Sequence, residues 1–205
     1  MIFKNLFRIV KSHKLSLVTI IFFELLYIIK GYKGNRFNFS NNEYMTDNLP
    51  TPYYFLIKIK KVLKNNNFSS FLDLGCGSGR VINFFDKTFD NKNFIGIEYF
   101  PKQYEHCKKI FQKNKNIKII QGDFTKLEIS KHNADCYFLN GPFKKKEEFL
   151  NFIEKIKKSS LNKKILFVFI NCNRKVIENL ENMQCIENFY INEAKGYSVY
   201  SLKST

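Results

Sequence analysis

The chain has 205 residues, and its hydrophobic content of 44% is enough to form the core of one domain of ordinary size. Its formal net charge of +16 at pH 7 suits an anionic partner such as nucleic acid, an acidic protein or a membrane surface, although solvated lysines alone would also account for it. The 5 cysteines form no CxxC pair and only 3 histidines are present, which argues against a disulfide framework and against a metal site. We therefore expect buried thiols in a reducing, cytoplasmic compartment.

The first predicted element is the apolar stretch 15–29, which contains a single charged residue, Glu24. As an α-helix it would be roughly 22 Å long, shorter than a hydrocarbon core of about 30 Å. Three interpretations stay open: a helix packed on the domain, a helix lying in a membrane interface, and a short membrane anchor. With the turn-rich segment after it, this helix forms an N-terminal region, residues 1–48, and the main domain is predicted over 49–205. We expect the main domain to fold and bind its ligand without residues 1–30.

Downstream, short apolar runs alternate with amphipathic segments, which predicts an alternation of strands and helices. The predicted strands are 71–74, 94–98, 117–121, 135–139, 165–170, 185–191 and 197–202, and the predicted helices are 53–63, 81–89, 101–113, 146–158 and 175–183. Alternation of this kind favours a mainly parallel sheet with helices on both faces, and two final strands in succession add an antiparallel hairpin. The predicted fold class is a doubly wound α/β fold with a mostly parallel sheet of seven strands and a C-terminal antiparallel hairpin.

The first predicted strand runs into the sequence FLDLGCGSGR, residues 71–80, in which Gly75, Gly77 and Gly79 alternate after Asp73. A strand, a glycine-rich turn and a helix in this order let the backbone approach a nucleotide-like ligand closely. The spacing is neither GxGxxG nor GxxxxGK[ST], the patterns that bind a pyrophosphate or a nucleoside triphosphate. It resembles motif I of the class I S-adenosylmethionine (SAM) dependent methyltransferases. The resemblance implies that Asp73 and the three glycines face the amino-acid half of the cofactor.

Acidic residues also follow the next two predicted strands. Glu98 ends the second strand, and Asp123 and Phe124 follow the third in the run QGDF. Ligands of doubly wound sheets bind beyond the carboxyl ends of the strands, so these residues should lie near the glycine turn. The same resemblance implies that Glu98 accepts hydrogen bonds from the ribose hydroxyls, that Asp123 accepts from the adenine amino group, and that Phe124 contributes its backbone amide or its ring.

The fourth predicted strand ends in the run Asn140-Gly141-Pro142-Phe143. This resembles the Asn-Pro-Pro-Phe/Tyr motif of enzymes that methylate planar nitrogens, which implies that Asn140 orients the acceptor amine and that Phe143 stacks on it. Gly141 stands in place of the first proline, and an ordinary strand-to-helix turn is an equally good interpretation.

A looser likeness concerns the segment before the glycine turn. Tyr44-Met45-Thr46, with Thr51-Pro52 after it, is similar to the Tyr-x-Pro-Thr-like lead-in of small protein-lysine methyltransferases that also carry a hydrophobic N-terminal segment.

These resemblances predict an enzyme, a SAM-dependent methyltransferase with an unidentified macromolecular acceptor, for which a nitrogen on a protein or nucleic acid is slightly favoured. Two other classes stay open: a nucleotide-dependent oxidoreductase on a similar fold, and a non-catalytic SAM-binding protein tethered to a membrane through 15–29. The glycine spacing disfavours the first. The predicted location is the cytoplasm, with association of 15–29 with a membrane surface as the open alternative.

Overall fold

The computed structural model describes residues 17–34, 50–160 and 163–202, so the predicted lead-in residues Tyr44, Met45 and Thr46 lie outside the described part of the chain. The α-helices are α1 (Leu17–Ile29), α2 (Tyr53–Lys64), α3 (Arg80–Asp86), α4 (Pro101–Phe111), α5 (Lys146–Ser159) and α6 (Arg174–Glu178), with a short 3-10 helix at Ile129–His132. The strands are β1 (Ser70–Leu74), β2 (Asn93–Glu98), β3 (Ile117–Gln121), β4 (Cys136–Asn140), β5 (Leu166–Ile170), β6 (Met183–Asn192) and β7 (Lys195–Leu202).

All seven strands belong to one sheet, in the order β3-β2-β1-β4-β5-β7-β6. The first five strands are parallel, and β7 runs antiparallel to both β5 and β6. The predicted fold class is therefore confirmed, including the C-terminal hairpin. Because the chain proceeds outward from β1 to β3 and then returns to place β4 on the other side of β1, the strand order reverses between β1 and β4. A ligand is expected beyond the carboxyl ends of these two strands.

Side chains of the central strands alternate between two apolar cores, one on each face of the sheet. On β5, Leu166, Val168 and Ile170 belong to the core on the side of α2 and α3, and Phe167 and Phe169 belong to the core on the side of α5 and α6. This strand is buried along its whole length, which explains its unbroken apolar sequence.

Most element boundaries lie within a few residues of their predicted positions, but the last helix does not. The sequence predicts a helix over 175–183, whereas α6 ends at Glu178. The backbone of Asn182 takes a left-handed conformation, with a φ of 57°, and β6 starts at the next residue. The apolar residues of this segment suit both a helix and a strand, so their spacing alone does not show where α6 ends and β6 begins.

Helix α1 packs on the domain through one of its faces. Phe23 and Tyr27 contact the core on the side of α2, and the ring of Tyr27 stacks on that of Tyr53 at a centroid distance of 4.7 Å. The opposite face exposes Val18, Phe22, Leu25 and Ile29. Within the described ranges, none of the helices has both the length and the apolar character needed to cross a bilayer.

Candidate active site

The glycine turn joins β1 to α3 and takes left-handed backbone conformations that favour glycine. The φ angles of Gly75, Gly77 and Gly79 are 85°, 55° and 85°. The turn is attached to β2, because the N–H of Gly75 donates to the carbonyl oxygen of Ile97 at 2.9 Å. A Cβ atom at Gly79 would lie 2.6 Å from the ring of Phe111, so this glycine also permits close packing against α4.

Asp73, at the end of β1, is a buried carboxylate with an unsatisfied oxygen. Only 2% of its surface is exposed, and its Oδ2 has no hydrogen-bond partner within the described part of the chain. Burial, and secondly the nearby Glu98, raise the pKa of Asp73 well above its usual value. An acceptor atom in this state is suited to a ligand that brings a donor or a positive charge.

Glu98, at the end of β2, is bonded to the glycine turn. Its Oε2 accepts the N–H of Gly77 at 2.7 Å, and its Oε1 accepts the N–H of Phe100 at 2.8 Å. Burial raises the pKa of Glu98, while the N–H groups of Phe100 and Gly77 oppose this by stabilising the charged form. The backbone N–H of Tyr99 also bonds to this carboxylate. Because a carboxylate has about four acceptor sites, Glu98 can fix the turn and still receive a ligand hydroxyl.

Asp123 and Phe124 follow β3 and take different environments. The Oδ1 atom of Asp123 accepts both the N–H and the hydroxyl of Thr125, at 3.0 and 2.6 Å, which holds the carboxylate in a turn beside the strand end. The ring of Phe124 is buried and meets the ring of Phe143 edge to face at 5.6 Å. Phe124 therefore contributes mainly to an aromatic cluster that supports the site.

Asn140, at the end of β4, is the centre of a side-chain network. Its Nδ2 donates to the hydroxyl of Thr51 at 3.1 Å, and its Oδ1 accepts from the Nδ2 of Asn171 at 3.0 Å. Gly141 has a φ of +49°, which a proline ring does not allow. The turn therefore departs from an Asn-Pro-Pro-Phe motif in backbone conformation as well as in sequence. Phe143 packs among Phe124, Phe149 and Phe152, so part of its ring surface is already covered.

These residues line two neighbouring clefts at the carboxyl edge of the sheet. The first cleft lies at β1 and β4, and its lining includes Asp73, Gly75, Gly77 and Asn140. The second cleft has a volume of about 810 Å³, and its lining includes Tyr99, Asp123, Phe124 and Phe143. Glu98 lies between them in the chain, bonded to Gly77 and followed by Tyr99. Gly79 lines neither cleft. No group of His, Cys, Asp or Glu side chains in 17–34, 50–160 and 163–202 is arranged to hold a metal ion.

Sequence reasoning missed three residues that the fold brings to this edge. Arg80 lines the first cleft beside Thr51 of the predicted lead-in, Asn171 bonds to Asn140, and Glu24 of α1 forms an ion pair with Arg80 at 2.9 Å. One signal was available: a single carboxylate inside an otherwise apolar helix needs a buried partner.

Comparison with known proteins shows which family of domains the residues of this site are similar to. Residues 71–159 match a family model described as a methyltransferase domain. Together with the fold, this match supports a SAM-dependent methyltransferase domain over these residues. The matched residues contain the glycine turn, Glu98, Asp123 and Asn140, which are the parts of the site that the sequence resemblance pointed to.

A curated relative is a protein-lysine N-methyltransferase of Saccharolobus islandicus, 28% identical over 94 residues. That alignment covers 44% of this chain and 58% of the relative, so the chain spans little more than half the length of this relative. A Salinibacter ruber RNA methyltransferase in complex with S-adenosylhomocysteine has 16% identity and a TM-score of 0.56, over 76% of this chain and 95% of that one. A Staphylococcus aureus protein described as a candidate caffeoyl-CoA O-methyltransferase has 15% identity and a TM-score of 0.60, over 98% of both chains. At these identities, the likeness to the solved structures shows the fold.

Proposed function

We propose that the chain transfers the methyl group of SAM to a nitrogen of a macromolecule. The observation that carries the cofactor assignment is the unsatisfied, buried Oδ2 of Asp73 beneath a glycine turn. SAM has an ammonium group and a sulfonium centre, and it lacks a phosphate. A carboxylate whose pKa is raised by burial and by Glu98 gains from a cationic ligand, whereas the same carboxylate would repel a pyrophosphate.

In this assignment, each strand end binds one part of the cofactor. Asp73 accepts the ammonium group, the turn at Gly75 and Gly77 gives the amino-acid part room at the backbone, Glu98 accepts the ribose hydroxyls, and Asp123 in the second cleft accepts the adenine amino group. SAM supplies a methyl group that the sulfonium already activates. The work left to the protein is therefore to align the acceptor with that methyl group and to exclude water. A lysine acceptor must first release its ammonium proton to solvent, because only the neutral amine has the lone pair that displaces the sulfonium.

Asn140 is the residue that we assign to alignment of the acceptor. It lines the same cleft as Asp73. Its side chain is held by Thr51 and Asn171, which fixes the orientation of its amide in the cleft. An amide oxygen is a suitable hydrogen-bond acceptor for an N–H of the methyl acceptor. Phe143 would form part of the wall against which the acceptor lies. The name of the Saccharolobus islandicus relative supports a protein lysine as the acceptor.

The test uses SAM labelled in the methyl group with a cell lysate, followed by digestion with protease or ribonuclease. We expect label in the protein fraction, released as methyl-lysine. Asn140→Ala should reduce turnover while S-adenosylhomocysteine (SAH) still binds, and Asn179→Ala, on the exposed end of α6, is the matched control. Label in RNA would refute a lysine acceptor but would still support methyl transfer from SAM. SAH binding without label in any fraction would refute methyl transfer.

We also propose that the outer face of α1 contacts an anionic lipid surface. Val18, Phe22, Leu25 and Ile29 are 77, 58, 45 and 82% exposed, and their spacing places them on one side of the helix. The only charged residue of α1, Glu24, points into the domain, so this side carries no carboxylate.

Neighbouring charges favour an anionic lipid surface over a second copy of the chain. Lys30 and Lys33 are exposed just after α1. Burial, and secondly the charges of Lys64 and Lys30, lower the pKa of Lys60 on α2. A basic cluster beside an apolar stripe is typical of helices that lie in a headgroup region. Two chains with a net charge of +16 would repel each other there.

Sedimentation with vesicles tests this surface. We expect the protein to bind vesicles of phosphatidylcholine and phosphatidylglycerol more than vesicles of phosphatidylcholine alone, and to lose this binding in a Phe22→Ser, Ile29→Ser variant. Ile186→Ser replaces an exposed apolar residue on β6 and serves as the control. Equal binding to both vesicles, or a dimer that only the double variant dissociates, would refute the lipid surface.

A further inference from the structure

The inner face of α1 contacts the glycine turn through a buried ion pair. Glu24 is 3% exposed, and its two carboxylate oxygens accept from Nη1 of Arg80 at 3.1 and 2.9 Å. Arg80 comes directly after Gly79, begins α3 and lines the first cleft. The carboxylate of the N-terminal helix thus fixes the residue that ends the cofactor turn.

The same carboxylate organises the start of α2. The Oε1 of Glu24 accepts the N–H of Tyr53 at 3.2 Å, and α2 has no side-chain cap of its own at Pro52. Since the first N–H groups of a helix have no partner within it, a carboxylate there satisfies a donor and suits the positive end of the helix dipole. Arg80 adds a hydrogen bond to the carbonyl oxygen of Thr51 at 3.3 Å, and its guanidinium lies 4.6 Å from the ring centroid of Tyr53.

Thr51 connects the ion pair of Glu24 and Arg80 to Asn140, the residue that we assign to the methyl acceptor. The carbonyl of Thr51 is held by Arg80, and its hydroxyl accepts from Nδ2 of Asn140 at 3.1 Å. Thr51 is buried, so its position depends on these contacts. Glu24, Arg80, Thr51 and Asn140 therefore form one connected series from α1 to the end of β4.

The segment after α1 also lies directly on the turn. The hydroxyl of Ser78 donates to the carbonyl oxygen of Gly34 at 2.6 Å, and the N–H of Lys33 donates to Oδ1 of Asn83 at 2.7 Å. A Cβ atom at Gly34 would lie 2.3 Å from the backbone nitrogen of Arg80. Backbone packs on backbone here, which leaves little freedom for the turn.

We infer that residues 17–34 are part of the cofactor and acceptor site, and that Glu24 is a positioning residue for methyl transfer. It acts through Arg80 on the glycine turn and through Thr51 on Asn140. The inference rests on the proposed function. It replaces the expectation that the domain binds its cofactor without residues 1–30, because that deletion would leave Arg80 buried without its counter-charge and Tyr53 without its acceptor.

The main test compares Glu24→Gln with Glu178→Gln, which removes the carboxylate of an exposed ion pair with Arg174. SAH affinity is measured by calorimetry at a temperature where circular dichroism shows each variant folded. We expect Glu24→Gln to raise the dissociation constant of SAH about tenfold and the control to leave it unchanged. A folded Glu24→Gln protein with wild-type SAH affinity and wild-type kcat would overturn the inference.

Thr51→Val tests the acceptor branch and also covers the case in which Glu24→Gln does not fold. Valine keeps the shape of threonine and removes the hydroxyl that Asn140 contacts. We expect kcat to fall about tenfold while the KM for SAM and the melting temperature stay near wild type, a split that a merely structural role would not give. An unchanged kcat would contradict the inference that Glu24 acts on Asn140 through Thr51. Wild-type protein that binds no SAH would instead contradict the proposed function, so the two failures are distinguishable.

Discussion

Asp73→Asn should weaken cofactor binding and stabilise the free protein at the same time. The substitution keeps the size of the side chain and removes its charge. In the free protein the buried Oδ2 atom has no hydrogen-bond partner among the described residues, so the charge has an unfavourable environment. With SAM or SAH bound, the same charge would receive the ligand ammonium. The two states therefore change in opposite directions.

The magnitudes follow from the burial of the group. Loss of a hydrogen bond to a charged partner costs about 1.5–3 kcal/mol, which corresponds to a dissociation constant roughly 10- to 150-fold higher. Because the folded pKa of Asp73 is raised above its unfolded value, its contribution to stability is present below the unfolded pKa of about 4 and is lost as the pH rises through the folded pKa. Above that range, the asparagine variant avoids the penalty and should gain about 1–3 kcal/mol of stability.

Calorimetry with SAH and thermal unfolding of the free protein measure both effects. We expect the melting temperature of Asp73→Asn at pH 7 to rise by several degrees. SAH affinity of the wild type should fall as the pH is lowered through the raised pKa of Asp73, since binding requires the ionised form, and the variant should lack this dependence. Asp90→Asn, at an exposed carboxylate, should change neither quantity. A variant that binds SAH like the wild type, or that melts at a lower temperature, would refute this account of Asp73.

Four further predictions concern the turn, the ribose contact, the acceptor loop and the thiols. Gly77→Val should abolish SAH binding in a folded protein, because a β-branched side chain at a φ of 55° is strained and enters the first cleft; unchanged affinity would contradict the cleft assignment. Glu98→Ala should weaken SAH binding by about 1–3 kcal/mol in calorimetry, and equal titrations would remove its ribose role. Gly141→Pro should lower the melting temperature by several degrees, since proline cannot adopt a φ of +49°, and a wild-type melting curve would show that the turn rearranges. Among the 5 cysteines, only Cys185 is exposed, so a thiol reagent should label one equivalent rapidly in the native protein and the rest after denaturation; fast labelling of more would refute the burial of the others.

Local sequence signals are sufficient to predict the fold class and the positions of the strand ends. Strand and helix periodicities are local properties, and their alternation restricts the topology to a sheet covered on both faces. Glycine spacing is local too, so the sequence also predicts the turn at Gly75 and Gly77 and the acids at the ends of β1, β2 and β3. The end of α6 was misplaced because its sequence suits two periodicities.

The contacts between these parts follow from the three-dimensional fold and from no local pattern. Glu24 and Arg80 are 56 residues apart, and no local pattern pairs them. Whether the Oδ2 of Asp73 has a partner depends on every neighbour that the fold brings to it, and the left-handed φ of Gly141 depends on the path of the chain between β4 and α5. Local sequence governs backbone preference and apolar periodicity, whereas the pairing of buried charges depends on which distant side chains enter the same low-dielectric volume.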